Sequence, residues 1–172
     1  MLCCLLFFGC HVIAAQEEEM ETQDDYIPFS MNAHLKNMHT WHGFVVHPGA
    51  MFATSLEYNS RNSKLTIGLW GGAGLTTIDV LNSNTGDYVS ANYQELSIYA
   101  KYRFSENVFI EAVSHNNFTG VEERGDKLAI WSYDKTQGYN FVDISFGVNV
   151  SKNTSLYLAT ILGGGSGDYE VQ

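Results

Sequence analysis

The chain has little charge, almost no proline and no cysteine after residue 10. All three cysteines (Cys3, Cys4 and Cys10) lie near the amino terminus, so the rest of the chain can form neither a disulfide nor a thiolate metal site. The nine basic residues are scattered and never form a cluster. Nucleic-acid binding therefore has no electrostatic basis.

Runs rich in Ala, Glu, Lys and Leu, which favour helices, are also missing, whereas glycine and aromatic residues are frequent. This composition is typical of an all-β fold with many turns. A chain of 172 residues is long enough for one domain. We therefore predict one all-β domain over residues 31–172.

The amino terminus predicts export. Residues 2–15 are apolar and end in Ala14-Ala15, but they are shorter than the roughly 20 residues that a membrane-spanning helix needs. We therefore predict a signal peptide over 1–15, cleaved before Gln16. Gly9-Cys10 leaves a lipoprotein cleavage site open as an alternative.

An acidic segment follows the predicted cleavage site. Residues 16–25 contain six of the 19 acidic residues and no basic residue. Such a run is most simply a solvated segment without a packed core. We predict a disordered leader over 16–30.

The remaining chain contains seven strand-like segments and no convincing helix, and most segments are near the roughly 9–11 residues that a tilted strand needs to cross a bilayer. The segments are 31–45, 50–58, 64–75, 91–104, 107–118, 138–150 and 154–163. Short turns at 59–63, 105–107 and 151–153 alternate with long polar links at 76–90 and 119–137. This asymmetry is the layout of outer-membrane barrels.

Side chains alternate within the segments between an apolar and a polar face. Leu96, Ile98 and Tyr102 share one face of 91–104, while Glu95 and Lys101 share the other. A soluble barrel or sandwich would bury the apolar face, whereas a membrane barrel turns it to lipid.

Three features favour the membrane: the signal peptide, the turn asymmetry, and aromatic residues beside the tight turns (Tyr58, Tyr102 and Phe104). We predict an antiparallel up-and-down transmembrane β-barrel in the outer membrane, in contact with its lipid. Bacterial single-chain barrels have an even number of strands, and we count seven. We therefore expect further strands beyond Gln172, and an open sheet or a gap between the first and last strands of this chain.

The best functional candidates are the charged side chains of the polar face, which we predict to line a lumen: Glu57, Glu95, Lys101, Arg103, Glu111, His115 and Asp143. In a narrow barrel they would pair and fill the interior. In a wide barrel they would line a water-filled pore and bias the passage of ions. The sequence leaves both readings open.

Two other groups of residues carry less weight. Four histidines (His34, His39, His42 and His47) do not converge on one strand face, so we expect no metal or other cofactor.

Ser114 and His115, with Glu111 on the His115 face, are similar to the residue set of outer-membrane lipid hydrolases. Neighbours on a strand face opposite sides, however, so the serine and histidine should not pair, and we expect no enzyme.

Four short motifs follow one another along the first half of the chain: Thr40-Trp41-His42-Gly43, Ser55-Leu56-Glu57-Tyr58, Gly68-Leu69-Trp70-Gly71-Gly72 and Tyr93-Gln94-Glu95-Leu96-Ser97-Ile98-Tyr99-Ala100. In order and spacing the segment from Trp41 to Glu111 resembles the TorF-type porins and related Gram-negative outer-membrane barrels. His42 stands where that family tends to have arginine.

The resemblance implies a passive channel for small polar solutes, assembled with the help of periplasmic chaperones and the barrel assembly machinery. The alternative is a closed structural or interaction barrel that acts through its surface loops.

Arginine substitutions on both faces test the face assignment. If Ile98 and Ile144 face lipid near the bilayer centre, Ile98→Arg and Ile144→Arg should each lower the free energy of unfolding by ~2–4 kcal/mol. Ser97→Arg and Ser145→Arg should be milder if the lumen is wide. Urea unfolding of lipid-refolded protein measures all four variants, and equal losses would indicate a soluble barrel with an apolar core.

Overall fold

The structure is a computed structural model that describes residues 26–82, 84–125, 127–133 and 140–164. The predicted signal peptide, residues 16–25 of the predicted leader and the chain beyond residue 164 lie outside these ranges. Phe29 and Ser30, which we assigned to the leader, instead begin the first strand.

Nine strands make up the regular structure of the described ranges: β1 (Phe29–Lys36), β2 (His39–Trp41), β3 (Phe44–His47), β4 (Met51–Asn59), β5 (Leu65–Leu81), β6 (Tyr88–Arg103), β7 (Val108–Asn117), β8 (Phe141–Ser151) and β9 (Thr154–Gly164). The described residues include no helix long and apolar enough to cross a membrane. The all-β prediction is confirmed.

Seven of the strands form one antiparallel sheet in the order β1-β4-β5-β6-β7-β8-β9. Apart from the β2–β3 insertion, each strand pairs with its neighbour along the chain, which is the up-and-down order that the turns predicted. Strands β1 and β9 are the two edges, and within the described residues they do not pair with each other. The part of the sheet that the structure describes is therefore open.

The predicted strand 31–45 was wrong, because the chain leaves the sheet after Lys36. Strands β2 and β3 pair with each other as a separate hairpin. Its turn places His42 and Gly43 at φ of 46° and 90°. Two successive positive φ angles are typical of the tight type I′ turn, whose twist matches that of paired strands.

The predicted link 76–90 was also too long. Strand β5 continues to Leu81 and β6 begins at Tyr88, so the connection shrinks to residues 82–87. The pairing shifts register between Ala73 and Thr77. Because the shift interrupts the alternation of apolar and polar side chains, the sequence pattern did not show that the two strands continue beyond it. The Asn82 side chain then closes the turn by accepting hydrogen bonds from the backbone N–H groups of Asn84 and Thr85.

The strand pairing confirms the predicted alternation. The apolar face carries large side chains that remain exposed, such as Leu56 (47 %), Phe146 (48 %) and Leu158 (79 %). The opposite surface, which we call the polar face, carries Ser55, Glu57, Trp70, Glu95, Ser97, Tyr99, Lys101, Glu111, His115, Asp143 and Ser145.

Burial is inverted relative to a water-soluble sheet. Among the described residues, 11 polar or charged residues are buried, against five hydrophobic ones. The hydrophobic cluster is small, with Met51, Ala53 and Tyr93 at its centre. Ser97 and Ser145 are 3 % and 7 % exposed, so arginine at these positions would meet packed neighbours, and the milder effect expected for a wide lumen does not apply.

Two glycines on the polar face lie directly opposite an aromatic residue of the next strand. Gly68 pairs with Tyr99, and Gly147 pairs with Phe109. A Cβ atom would stand 2.3 Å from the Tyr99 ring at Gly68 and 2.1 Å from the Phe109 ring at Gly147. Each ring therefore lies over its glycine and fills the space that a side chain would take.

Gly147→Ala should displace the Phe109 ring and lower the free energy of unfolding by ~1–3 kcal/mol, the usual cost of overpacking. Gly163→Ala is the matched control, because a Cβ atom there would meet nothing within 4 Å. Urea unfolding monitored by tryptophan fluorescence measures both variants. Equal stabilities would contradict the packing of Phe109 on Gly147.

Candidate functional site

The strand register places all seven predicted lumen-lining residues on the polar face. Lys101 and Glu111 form a cross-strand pair, with Nζ 3.5 Å from Oε2. The Lys101 ammonium also lies 3.9 Å from the ring centroid of Phe109. Arg103, one pleat further along β6, makes no ion pair with any described residue.

His115 lies between two carboxylates at the centre of the polar face. Its Nδ1 is 2.9 Å from Oε1 of Glu95, and its Nε2 is 3.2 Å from Oδ1 of Asp143. Both carboxylates can accept a hydrogen bond only if both ring nitrogens carry protons, as in an imidazolium. The ring also stacks on Phe141, with centroids 4.3 Å apart. Strands β6, β7 and β8 are thus joined by one charged cluster.

Asp143 also holds the hairpin against the sheet. Its Oδ2 lies 3.0 Å from Nε2 of His42, and its side chain is only 3 % exposed. The adjacent Trp41 packs edge-on against Phe141 and against His115, with ring centroids 5.2 and 5.8 Å apart. Because these contacts all reach the polar face, the β2–β3 hairpin lies on that face.

The other end of the hairpin is held by stacked rings. His39 stacks on Trp70 with centroids 5.0 Å apart, and His47 stacks on Tyr93 with centroids 5.6 Å apart. Burial lowers the pKa of His39, opposed by the nearby Glu95 carboxylate, which favours a neutral ring at its stacking position. Among the residues that the structure describes, no group of His, Cys, Asp and Glu could hold a metal ion.

Glu57 differs from the other acidic residues of the polar face. The Tyr99 hydroxyl donates a hydrogen bond of 2.6 Å to its Oε1, and the Ser30 hydroxyl donates one of 3.4 Å to its Oε2. Within the described ranges, no cation pairs with the Glu57 carboxylate. The partners of the Glu57 carboxylate among the described residues are therefore neutral hydroxyl groups.

A cavity of about 290 Å³ lies between the hairpin and strands β4 to β7. Its lining combines aromatic rings, carboxylates and hydroxyl groups: His39, Trp41, Ser55, Glu57, Trp70, Glu95, Ser97, Tyr99, Glu111, Val113 and His115. The prediction from sequence missed the aromatic residues and the hairpin, because it named only the charged positions and left the faces of segment 31–45 unassigned.

Ser114 and His115 lie on opposite faces, as predicted, and Ser114 instead contacts the Tyr133 hydroxyl at 2.7 Å. The sequence reading missed Ser97, whose Oγ is 3.3 Å from Nδ1 of His115. Its hydroxyl donates to Glu95, and an imidazolium has no lone pair with which to remove its proton. The Ser97–His115 pair therefore lacks a general base in this arrangement.

Asp143→Asn should loosen the hairpin and the strand cluster together. The amide would replace one of the two carboxylate oxygens by a donor, which would face a ring nitrogen that itself donates, and breaking one partner of a buried ion pair typically costs ~3–5 kcal/mol. Asp87→Asn, in the exposed connection between β5 and β6, is the control and should stay within about 0.5 kcal/mol. Urea unfolding compares the two variants; equal losses would mean that the Asp143 contacts do not stabilise the fold.

No protein-family model, curated protein or solved structure matches this chain. The resemblance to TorF-type porins, carried by motifs between Trp41 and Glu111, therefore stays a prediction. Evidence for function comes from the chemistry of the two sheet faces.

Proposed function

We propose that this chain forms an outer-membrane β-barrel, alone or with further strands, whose polar face bounds a passive path for small polar solutes. The observation that carries the proposal is the inverted burial of the described residues, with large apolar side chains exposed and charged side chains covered. Soluble monomers rarely expose a contiguous apolar surface of this kind. A barrel in lipid exposes one on every strand.

The backbone sets a requirement for this proposal. In the hydrocarbon core each unpaired N–H or C=O group is costly, so strands must be hydrogen-bonded on both sides. The five inner strands, β4 to β8, already have a partner on each side. The proposal requires that strands of this protein or of another chain pair with the edges β1 and β9.

The hairpin narrows the proposed path. It extends across the polar face from Trp70 on β5, which stacks on His39, to Tyr157 on β9, whose ring centroid is 5.1 Å from that of His42. A solute that moves along this face must therefore pass beside the hairpin, close to Glu95 and His115. Charged side chains at a constriction are the means by which channels select ions.

A closed barrel that acts through its loops is the second candidate, and one feature favours it. The segment 127–133 is held in place by the buried amides of Asn116 and Asn140, which bond the backbone of Trp131 and Ala129. This segment keeps the Leu128 and Trp131 side chains about 60 % exposed. A fixed loop with exposed apolar side chains is typical of an interaction surface.

Single-channel recording in planar bilayers separates the two candidates. We expect conductance from the wild-type protein and a larger conductance from a Trp41→Ala/His42→Ala variant, because that variant loses the contacts that hold the hairpin over the path. Thr40→Ala is the matched control, since Thr40 lies on the same hairpin with an exposed side chain. Silence of both the folded wild-type protein and the hairpin variant would reject the channel.

A further inference from the structure

The cavity beside the hairpin combines aromatic rings from two parts of the fold. Trp41 comes from the hairpin, whereas Trp70 and Tyr99 come from neighbouring strands of the sheet. The faces of such rings carry negative charge density and attract cations, with tryptophan the most effective. The cavity thus lies where the hairpin covers the sheet.

The charges of the cavity do not cancel. Three carboxylates line it, of which Glu95 is matched by His115 and Glu111 by Lys101. Glu57 is matched by no cation of the described residues, although its oxygens accept two hydrogen bonds. A positively charged ligand would therefore restore the balance, while an anion would meet repulsion.

One ring of the cavity already holds a cation of the protein itself. The Lys36 ammonium from edge strand β1 lies 5.8 Å from the ring centroid of Trp70. This distance is within the range of a cation–π interaction. The Trp70 ring thus already has an ammonium group as a partner, although Lys36 itself does not line the cavity.

We infer that this cavity binds a small organic cation with an ammonium group, close to Glu57 and the Trp41 and Trp70 rings. Its volume of about 290 Å³ is at the lower end for ligand sites, which suits a ligand of few carbon atoms. Specific binding goes beyond passive diffusion. It does not require that the path conduct, because the site is formed by the hairpin and the polar face alone.

The test uses choline and its neutral isostere 3,3-dimethylbutan-1-ol, titrated into the folded protein in detergent micelles. Calorimetry gives the affinities, and tryptophan fluorescence reports on Trp41 and Trp70 above a constant signal from Trp131, which does not line the cavity. We expect the isostere to bind about tenfold more weakly than choline, because it has the same shape without the charge. This comparison uses only wild-type protein, so it does not depend on a variant that folds.

A substitution then locates the site. Glu57→Gln keeps an oxygen that can accept the Tyr99 hydrogen bond but removes the charge, and it should weaken choline binding about tenfold. Glu106→Gln, in the exposed turn between β6 and β7, is the control and should leave the affinity unchanged.

Equal affinities for choline and the isostere would overturn the inference, as would an unchanged choline affinity in Glu57→Gln. A third contrary result would be quenching of the tryptophan fluorescence by glucose but not by choline, which would indicate a sugar site. Because binding is measured in micelles, a conducting protein that ignores choline rejects only this inference. A silent protein that binds choline rejects only the channel.

Discussion

The imidazolium of His115, held between the carboxylates of Glu95 and Asp143, is the interaction on which the polar face depends. Charge-assisted hydrogen bonds are strong where water is excluded, and a buried charge without a partner is costly. These three residues come from adjacent strands, β6, β7 and β8. The hydrogen bonds among them therefore hold the three strands together at the middle of the sheet. They also position the second oxygen of Asp143, which binds His42 of the hairpin.

The contact with Asp143 holds the hairpin on the polar face, and the hairpin in turn changes the shape of that face. A bare polar face of this sheet would be an open surface of paired charges. With the hairpin over it, His39 and Trp41 line a cavity together with Trp70 and Tyr99, and no cation of the described residues pairs with Glu57 there. The narrowed path and the ligand binding that we propose would thus both follow from one insertion between β1 and β4.

The sequence was most informative where structure repeats at short range. The two-residue alternation of apolar and polar side chains correctly predicted the faces of β4 to β8. It placed seven charged residues on one surface, because strand geometry alone sets that alternation. It was least informative at 31–45 and 76–90. In the first, a hairpin leaves the sheet for contacts with distant side chains; in the second, a register shift between Ala73 and Thr77 breaks the pattern.

By itself, then, the sequence determined an all-β chain of antiparallel neighbours with one apolar and one polar face, since these properties depend on local spacing and short turns. Only the tertiary structure decided which charges meet. The contact between His42 and Asp143 joins residues 101 positions apart, and that between Tyr99 and Glu57 joins residues 42 apart. No local pattern encodes such distances, because they arise from the register of several strands and from a hairpin folded back across them.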